Sequence, residues 1–275
     1  MSGTLYVVGT PIGNLEDMSP RAVRILSEVD FIAAEDTRVT IKLLNHFELK
    51  KEMLSYYEHN KAGRGNLIIE RLLKGENCAL VSDAGMPAIS DPGEDLVRTA
   101  RENGIPVESV PGPSALVTAL AISGMPSGRF CFEGFLSVNK ISRKQHLQSL
   151  QNETRTMIFY EAPHKLVATL RDMLTAFGDR EIAIARELTK LHETVLRTTL
   201  SGALARFTDD PPKGEFVLII RGKEPQEQEE ITLDSAVALA KNRMANGLSA
   251  SSAAKEAAAI TGLKKGEIYK ALIGM

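Results

Sequence analysis

Residues 78–93 read CALVSDAGMPAISDPG, a short apolar run followed by two aspartates, two glycines and two prolines. A helical pattern resumes at Glu94, so the stretch predicts a strand, a loop and a helix. Gly85 and Gly93 permit backbone angles closed to other residues, and Asp83 presents a carboxylate beside bare backbone. In an open α/β sheet, ligands bind beyond the carboxyl ends of the strands, where this loop would lie. Taken alone, the stretch fits an ordinary strand-to-helix turn better, and its functional weight comes from similar clusters elsewhere.

Length and charge limit what the whole chain can do. At 275 residues, the chain is long enough for about two domains of roughly 100 to 200 residues each. The 33 basic and 35 acidic residues give a net charge of -2, so nothing draws the whole protein towards a polyanion. Binding of nucleic acid would therefore require a local basic patch.

Cysteine usage and hydropathy indicate the compartment. Cys78 and Cys131 lie in apolar runs typical of small buried hydrophobic residues rather than of a disulfide framework or a zinc site. No apolar run approaches the roughly 20 residues of a membrane span, and the N-terminus begins directly with a strand pattern. We expect a soluble protein of the reducing cytoplasm that has no membrane partner.

Two further apolar runs end, like residues 78–81, in polar loops. Residues 4–8 precede the loop GTPIGN at 9–14, and residues 31–34 precede EDTR at 35–38. The glycine loop lacks both the ending of a phosphate-binding P-loop and the spacing of a dinucleotide fold, so no phosphate ligand is predicted. The alternation of strands with helices, including one from about residue 40 to 46, predicts a mainly parallel sheet. We place the end of this first α/β domain, residues 1–112, within the stiff sequence PGP.

Residues 113–223 form the second predicted domain. Ser114 should cap a helix over 115–122, and strands are expected at 129–135, 156–160 and 181–185. The runs at 194–200 and 215–221 are typical of a neighbouring antiparallel pair, which makes this domain α+β-like. Polar clusters again follow two strands, EAPHK at 161–165 and RELTKLHE at 186–193.

The last part of the chain changes character. A charged linker is predicted at 222–230, and three amphipathic helices follow it in a tail of residues 231–275. Two short helices around a glycine-containing turn resemble a helix-turn-helix, with lysines on the last element. A helical cap or an oligomerisation element explains the tail about equally well.

The distribution of polar clusters indicates a cleft. Clusters at strand ends in two domains joined by a stiff hinge predict a pocket between those domains. None of the five histidines lies at metal-ligand spacing from another His, Cys or carboxylate, so no metal site is predicted. The motif Gly-x-Ser-x-Gly is absent and neither cysteine lies in a polar loop, which disfavours covalent catalysis. What remains is a transfer reaction that depends on positioning.

Seven motifs in a fixed order distinguish the chain. They are GTPIGNLED at 9–17, EDTR at 35–38, SDAG at 82–85, SDPG at 90–93, PGPSA at 111–115, YEAPH at 160–164 and ARELTK at 185–190. The set resembles the ribosomal small-subunit RNA 2'-O-methyltransferase I family, a branch of the tetrapyrrole-methylase superfamily, from residue 3 to about residue 221. The tail resembles the helix-turn-helix appended to many members.

The resemblance implies a fold, a cofactor and a substrate. It implies two α/β domains with S-adenosylmethionine in the cleft, held largely by backbone groups without a metal, and S-adenosylhomocysteine as product. It also implies a homodimer that methylates the ribose 2'-hydroxyl of a cytidine in the decoding region of 16S ribosomal RNA in the small subunit. Carried over position by position, the cofactor-binding residues would be Gly9, Pro11, Asp83, Ala84, Gly85, Met86, Pro87, Ser114, Ala115, Tyr160, Ala185 and Leu188.

The implied reaction is an in-line displacement in which the ribose oxygen attacks a methyl group activated by positive sulfur. Alignment in a dry cleft is then the main requirement. A base near the poorly nucleophilic hydroxyl should help, and Asp36, Glu187 and His164 are candidates. Arg38 and Lys190 could orient a phosphate. A structural salt bridge or a helix cap is the alternative role for each of these five residues.

Affinity for RNA must come from local charge, and two clusters stand out. The first is the densest basic segment of the sequence, and the second lies on the last helix of the tail. Their members are Lys140, Arg143 and Lys144 in the segment and Lys264, Lys265 and Lys270 in the tail.

The chain departs from the expected family pattern at Tyr57, Met86, Ser137 and Lys165, although the cofactor loops stay intact. Two other functions remain open. One is a methyltransferase of a tetrapyrrole precursor, since the superfamily shares the cleft, and the basic segment, EDTR and the tail argue against it. The other is a cofactor-sensing DNA-binding regulator that uses the tail, and the many polar clusters disfavour it.

Overall fold

The computed structural model describes residues 2–210, 213–224 and 232–274 of the chain. Its contacts define two compact units, Met1–Lys223 and Glu224–Met275. The predicted linker at 222–230 lies largely outside the described residues. None of the described helices is long and apolar enough to cross a membrane.

The first sheet of the larger unit is five-stranded and parallel. Its strands are β1 (Leu5–Val8), β2 (Phe31–Ala34), β3 (Glu52–Ser55), β4 (Cys78–Val81) and β5 (Val107–Val110). They are ordered β3-β2-β4-β1-β5, and every pairing is parallel. The predicted parallel sheet is confirmed, and β3 is a strand that the sequence analysis missed.

Helices cover both faces of the first sheet, as a parallel sheet requires. They are α1 (Pro20–Glu28), α2 (Thr37–His46), α3 (Lys61–Leu73) and α4 (Gly93–Glu102). One apolar core joins the sheet to α3 and α4, and the other joins it to α1 and α2. Helix α2 begins three residues before the predicted start because the Asp36 side chain accepts a hydrogen bond from the Arg38 N–H at 2.8 Å and so caps the helix.

The second sheet is mixed. Its strands are β6 (Phe130–Phe135), β7 (Thr156–Glu161), β8 (Glu181–Arg186), β9 (Thr194–Thr199) and β10 (Phe216–Ile220), ordered β6-β7-β10-β8-β9. Strands β6 and β7 are parallel and the other pairs are antiparallel. The predicted pairing of 194–200 with 215–221 is wrong, because β10 inserts between β7 and β8 and so β8 separates it from β9.

Helices of the second sheet also lie on both faces. They are α5 (Ala115–Ser123), α6 (Lys140–Ser149), α7 (Leu166–Phe177) and α8 (Leu200–Asp209). Helix α5 shares one core with the sheet, and α6, α7 and α8 share the other. We call each sheet with its helices a lobe of the larger unit. Ile12, from the loop after β1, packs in the α5 core, so a loop of the first lobe is anchored on the second lobe.

The smaller unit is helical. Helices α9 (Leu233–Ala245), α10 (Ala250–Thr261) and α11 (Lys265–Ile273) match the three predicted helices within a few residues. Their core consists mainly of alanines, closed by Ile268. Small side chains let short helices approach closely, so fifty residues suffice for a compact helical unit.

Candidate active site

A cavity of about 420 Å³ lies where strand ends of both sheets meet, within the range of about 300 to 1,000 Å³ typical of small-molecule sites. The loops after β1 and β4 and the start of α5 form one side, and the ends of β7 and β8 and the start of β10 form the other. Eight predicted cofactor residues line it: Asp83, Ala84, Gly85, Met86, Ser114, Ala115, Tyr160 and Leu188.

Four predicted cofactor residues do not line this cavity. Pro87 and Ala185 are buried, and Pro11 lines a neighbouring cavity. Gly9 supports the floor, because a Cβ on it would lie 2.6 Å from the Cα of Gly112 and 2.7 Å from the Met86 Sδ. The close backbone approach therefore holds the loop after β1 against the PGP segment, residues 111–113, which connects the two lobes.

Two backbone hydrogen bonds fix the loop after β1 to the loop after β4. The Thr10 N–H donates to the Gly85 carbonyl at 3.0 Å, and the Gly85 N–H donates to the Thr10 carbonyl at 3.1 Å. Gly85 has a φ of +86°, which a side chain would strain. Glycine at position 85 thus allows a turn that exposes the neighbouring backbone to the cavity.

Tyr160 connects the second sheet to α5. Its hydroxyl accepts a hydrogen bond from the Leu116 N–H at 3.0 Å. Ser114 occupies the N-cap position of α5, but its side chain makes no capping hydrogen bond, so the predicted cap is wrong in this respect. The tyrosine supplies the acceptor that the first turn needs, and burial raises the pKa of its phenol.

We expect Tyr160→Phe to lower the free energy of unfolding by about 1–3 kcal/mol, because the Leu116 N–H would lose its acceptor in a part-buried place. Urea unfolding measures the change. Tyr57→Phe is the matched control, since the Tyr57 ring is 42% exposed and its hydroxyl makes no hydrogen bond to a described residue. Equal losses for the two variants would contradict this role of Tyr160.

The cavity is acidic. Five carboxylates line it, from Glu35, Asp83, Asp91, Glu161 and Glu215, and none of its described lining residues is Lys, Arg or His. A cationic ligand suits this lining, whereas a phosphate would find no basic side chain among the described lining residues.

Hydrogen bonds hold the carboxylates in place. Asp83 accepts from the Asp36 N–H at 3.0 Å, and Glu35 accepts from the Asp83 N–H at 3.3 Å. Burial raises the pKa of Glu35, and the nearby carboxylates add to the effect. Partial burial raises the pKa of Asp83 as well, with a further contribution from Asp36. Both groups therefore hold negative charge less readily than in water.

Glu161 is 3% exposed, and its carboxylate accepts from the Ala162 N–H at 2.8 Å and the Thr169 hydroxyl at 2.6 Å. The sequence analysis did not select Glu35, Glu161, Glu215 or Phe135 as site residues. Glu35 and Glu161 belong to polar clusters after strands, which was the available signal. Glu215 and Phe135 enter the cavity through the topology of the second sheet, which no local pattern shows.

The five predicted catalytic residues border the cavity without lining it. Arg38 and Asp36 form an ion pair at 2.6 Å, and this hydrogen-bonded partner lowers the pKa of Asp36 to about 2. Asp36 contacts the site through its backbone N–H to Asp83. His164 is exposed, in the turn after β7.

Glu187 and Lys190 form a second pair at 3.0 Å, and Lys190 also contacts Glu215 at 2.9 Å. Burial opposes the ionisation of Glu187, but the Glu215 N–H and the Lys190 ammonium outweigh it and lower its pKa. A Cβ on Gly13 would lie 2.7 Å from the Lys190 Cγ. The Lys190 side chain thus packs against the loop after β1 and joins that loop to the segment after β8.

The predicted RNA-binding residues differ in availability. Lys140 and Lys144 are exposed on α6, whereas the Arg143 side chain is 14% exposed and pairs with Asp172 at 2.7 Å. In the smaller unit, Lys264 lies 3.8 Å from Glu267 and Lys265 donates to Ser251, while Lys270 is exposed. Among these six residues, Lys140, Lys144, Lys265 and Lys270 therefore form no ion pair with a described residue.

Two departures from the family pattern have local consequences. The Met86 thioether packs against Gly9 at the floor of the cavity. The Ser137 hydroxyl accepts from the Asn139 N–H at 3.2 Å and so shapes the turn before α6. Within the described residues, no group of three or more His, Cys, Asp or Glu could hold a metal ion, and the predicted absence of a metal stays a prediction.

A family model of tetrapyrrole (corrin/porphyrin) methylases matches residues 4–204. The chain belongs to this family. A second model, the RsmI C-terminal HTH domain, matches residues 233–275 of this methylase. The predicted two-lobed α/β fold with a cleft and a helix-turn-helix tail is confirmed, and so is the family resemblance. The chain is a methyltransferase.

Relatives of this methylase share its full length or its larger part. A protein of Synechocystis sp. named ribosomal RNA small subunit methyltransferase I is 49% identical over 98% of this chain and 96% of its own. A protein of the same name from Thermotoga maritima is 50% identical over 81% of this chain and 100% of its own.

Solved structures share the fold. Uroporphyrin-III-C-methyltransferase from Thermus thermophilus has a TM-score of 0.57 at 20% identity, over 80% of this chain and 94% of its own. Diphthine synthase has a TM-score of 0.62 at 14% identity, over 82% of this chain and 92% of its own. At such identities the likeness concerns the fold alone.

Proposed function

We propose that this methyltransferase uses S-adenosylmethionine to methylate the ribose 2'-hydroxyl of a cytidine in the decoding region of 16S ribosomal RNA. The observation that carries the RNA substrate is the 49% identity, over 98% of the chain, to a relative named ribosomal RNA small subunit methyltransferase I. The tetrapyrrole-methylase fold does not select the substrate, because its solved members at low identity act on different ones by their names.

The lining of the main cavity supports S-adenosylmethionine as the methyl donor. The donor carries a positive sulfur and an ammonium group, and the cavity offers five carboxylates without a basic lining residue in the described chain. Ile12, Tyr160 and Val217 supply apolar walls for an adenine ring and exclude water from it. Backbone groups of residues 83–86 provide neutral hydrogen-bonding partners.

When bound, S-adenosylmethionine supplies a methyl carbon on positive sulfur, which takes an oxygen nucleophile and leaves a neutral sulfide. The residues of the chain hold the two reactants in line and keep the cavity dry. Asp83 is the better candidate for acceptor of the hydroxyl proton, because it lines the cavity whereas Asp36 does not, and partial burial raises its pKa. Asp36 then serves to hold Arg38, which can bind a phosphate.

A homodimer in the cytoplasm belongs to the same proposal. Four apolar side chains on the edge strand β6, the loop after it and the start of α6 are exposed: Phe130 at 39%, Phe135 at 56%, Val138 at 73% and Ile141 at 70%. A patch of this kind supports a protein interface. Light scattering should give twice the mass of one chain, and Val138→Glu with Ile141→Glu should give the monomer.

A methyl-transfer assay tests the substrate. Purified small ribosomal subunits that lack the modification are incubated with labelled S-adenosylmethionine, and the label is mapped on the RNA. We expect one labelled cytidine, with the methyl group on its ribose. Transfer to a tetrapyrrole precursor instead, or cofactor binding with no transfer to either, would favour the competing functions.

Charge reversal tests the predicted RNA contacts. We expect Lys140→Glu with Lys144→Glu, and separately the triple reversal of Lys264, Lys265 and Lys270, to weaken RNA binding about tenfold or more at about 0.1 M salt. The affinity for S-adenosylmethionine should stay at the parent value. Lys50→Glu reverses an exposed charge elsewhere and serves as control. RNA affinities equal to that of the control would reject these contacts.

A further inference from the structure

A second cavity of about 250 Å³ adjoins the main one. It lies between the loop after β1 and helix α2, and Ser82 and Asp83 line both cavities. Asp83 therefore lies where the two spaces meet, and its carboxylate is within reach of a ligand in either one.

The two cavities differ in charge. The main cavity has five carboxylates and no basic side chain among its described lining residues, whereas Lys42 lines the second together with a single carboxylate, Asp83. Lys42 is exposed on α2 and forms no ion pair with a described residue. Its charge is available for an anionic group that the main cavity would repel.

The remaining lining suits a flat ring beside that anion. Leu15 is 41% exposed and Val39 is 38% exposed, so two aliphatic side chains at the cavity keep apolar surface open to solvent. The Thr10 hydroxyl lies 3.3 Å from the Ser82 carbonyl and 3.4 Å from the Gly85 carbonyl, and so links this wall to the loop of the main cavity.

We propose that the second cavity is the subsite for the acceptor nucleoside, with a flanking RNA phosphate on Lys42, the base against Leu15 and Val39, and the ribose hydroxyl facing Asp83. The inference rests on the proposed function and adds the place and the contacts of its substrate. The subsite requires an unstacked nucleoside of a single strand, because a base inside a duplex could not enter the cavity. The volume matches one nucleoside rather than a folded RNA element.

Charge and volume variants with matched controls test the subsite. Lys42→Glu removes the phosphate contact, and Lys50→Glu makes the same change at an exposed lysine outside the cavity. Val39→Trp fills the cavity, and Ile41→Trp adds the same bulk at a residue on α2 that is equally 38% exposed but does not line it.

We expect Lys42→Glu and Val39→Trp to raise the KM for small subunits about tenfold, while both controls keep the parent KM. Calorimetry should give the parent affinity for S-adenosylmethionine in all four variants, and thermal unfolding should show that each is folded. A KM of Lys42→Glu equal to that of Lys50→Glu, or a parallel loss of cofactor affinity, would overturn the subsite.

Binding of a short cytidine-containing single-stranded oligoribonucleotide separates this inference from the proposed function. If the parent binds cofactor but does not methylate small subunits, the proposed function fails on its own. Weaker oligonucleotide binding by Lys42→Glu than by Lys50→Glu would still support a nucleoside subsite. Equal binding by the two variants would overturn it, whatever the parent methylates.

Discussion

Replacing Gly9 with alanine is expected to lower the affinity for S-adenosylmethionine at least about tenfold and the free energy of unfolding by about 1–3 kcal/mol. The new Cβ would lie 2.6 Å from the Gly112 Cα and 2.7 Å from the Met86 Sδ. The thioether can move, but the Gly112 backbone is held close to Gly9, because the Gly9 N–H donates to the Val110 carbonyl at 3.0 Å. The loops that form the floor of the cavity must separate.

Gly128→Ala is the matched control, because a Cβ on Gly128 meets nothing within 4 Å. Calorimetry of cofactor binding and urea unfolding should both leave this control at the parent values. A Gly9→Ala protein with parent affinity and stability would mean that the close approach to Gly112 is not needed for the site.

The second large effect concerns charge. We expect the double variant Glu35→Gln with Asp83→Asn to bind S-adenosylmethionine about tenfold more weakly at neutral pH, which is about 1.4 kcal/mol. Its affinity for S-adenosylhomocysteine should change much less, because only the donor carries a positive sulfur for the carboxylates to attract. Calorimetry with both ligands gives the ratio, and Glu108→Gln, an exposed carboxylate on β5, is the control. An equal loss for the two ligands would show that the carboxylates do not sense the sulfur charge.

The raised pKa of Glu35 has a consequence for stability without ligand. A carboxyl group whose pKa lies above its ordinary value of 4.5 in the folded protein binds a proton more readily there than in the unfolded chain. Its destabilising contribution is complete above the raised pKa and disappears as the pH falls to about 4.5. The thermal unfolding temperature of Glu35→Gln should therefore be higher than that of the parent at pH 7. The difference between the two temperatures should shrink at pH 5.

The first lobe could be predicted from the sequence because its central strands are buried on both faces. Strands β2 and β4 are apolar throughout, and the sequence analysis predicted both with their bounds. The edge strand β3 was missed, since Glu52 is exposed and the rest is half-buried, so no apolar run marks it. In the second lobe the error concerned pairing, because the neighbours of β10 are set by contacts between distant segments.

The site shows the same division. The loops at 83–86 and 114–115 were found through glycine, proline and the family motifs, which mark backbone shape. The charged candidates were harder, since Asp36, Arg38, Glu187 and Lys190 form ion pairs beside the cavity rather than within it. The position of a charged residue along the chain does not show where its side chain points. For this reason Asp36 was predicted as a site residue and its neighbour Glu35 was not.

Strand β10 comes last of the ten strands in the described part of the chain and takes the central position in its sheet. During synthesis, β7 and β8 each keep one unpaired edge until residues 216–220 have left the ribosome. The second sheet is therefore completed late. A nascent chain that stops before residue 216 keeps two unpaired strand edges, which are templates for aggregation. Premature termination in this gene should therefore yield insoluble fragments rather than a partly working enzyme.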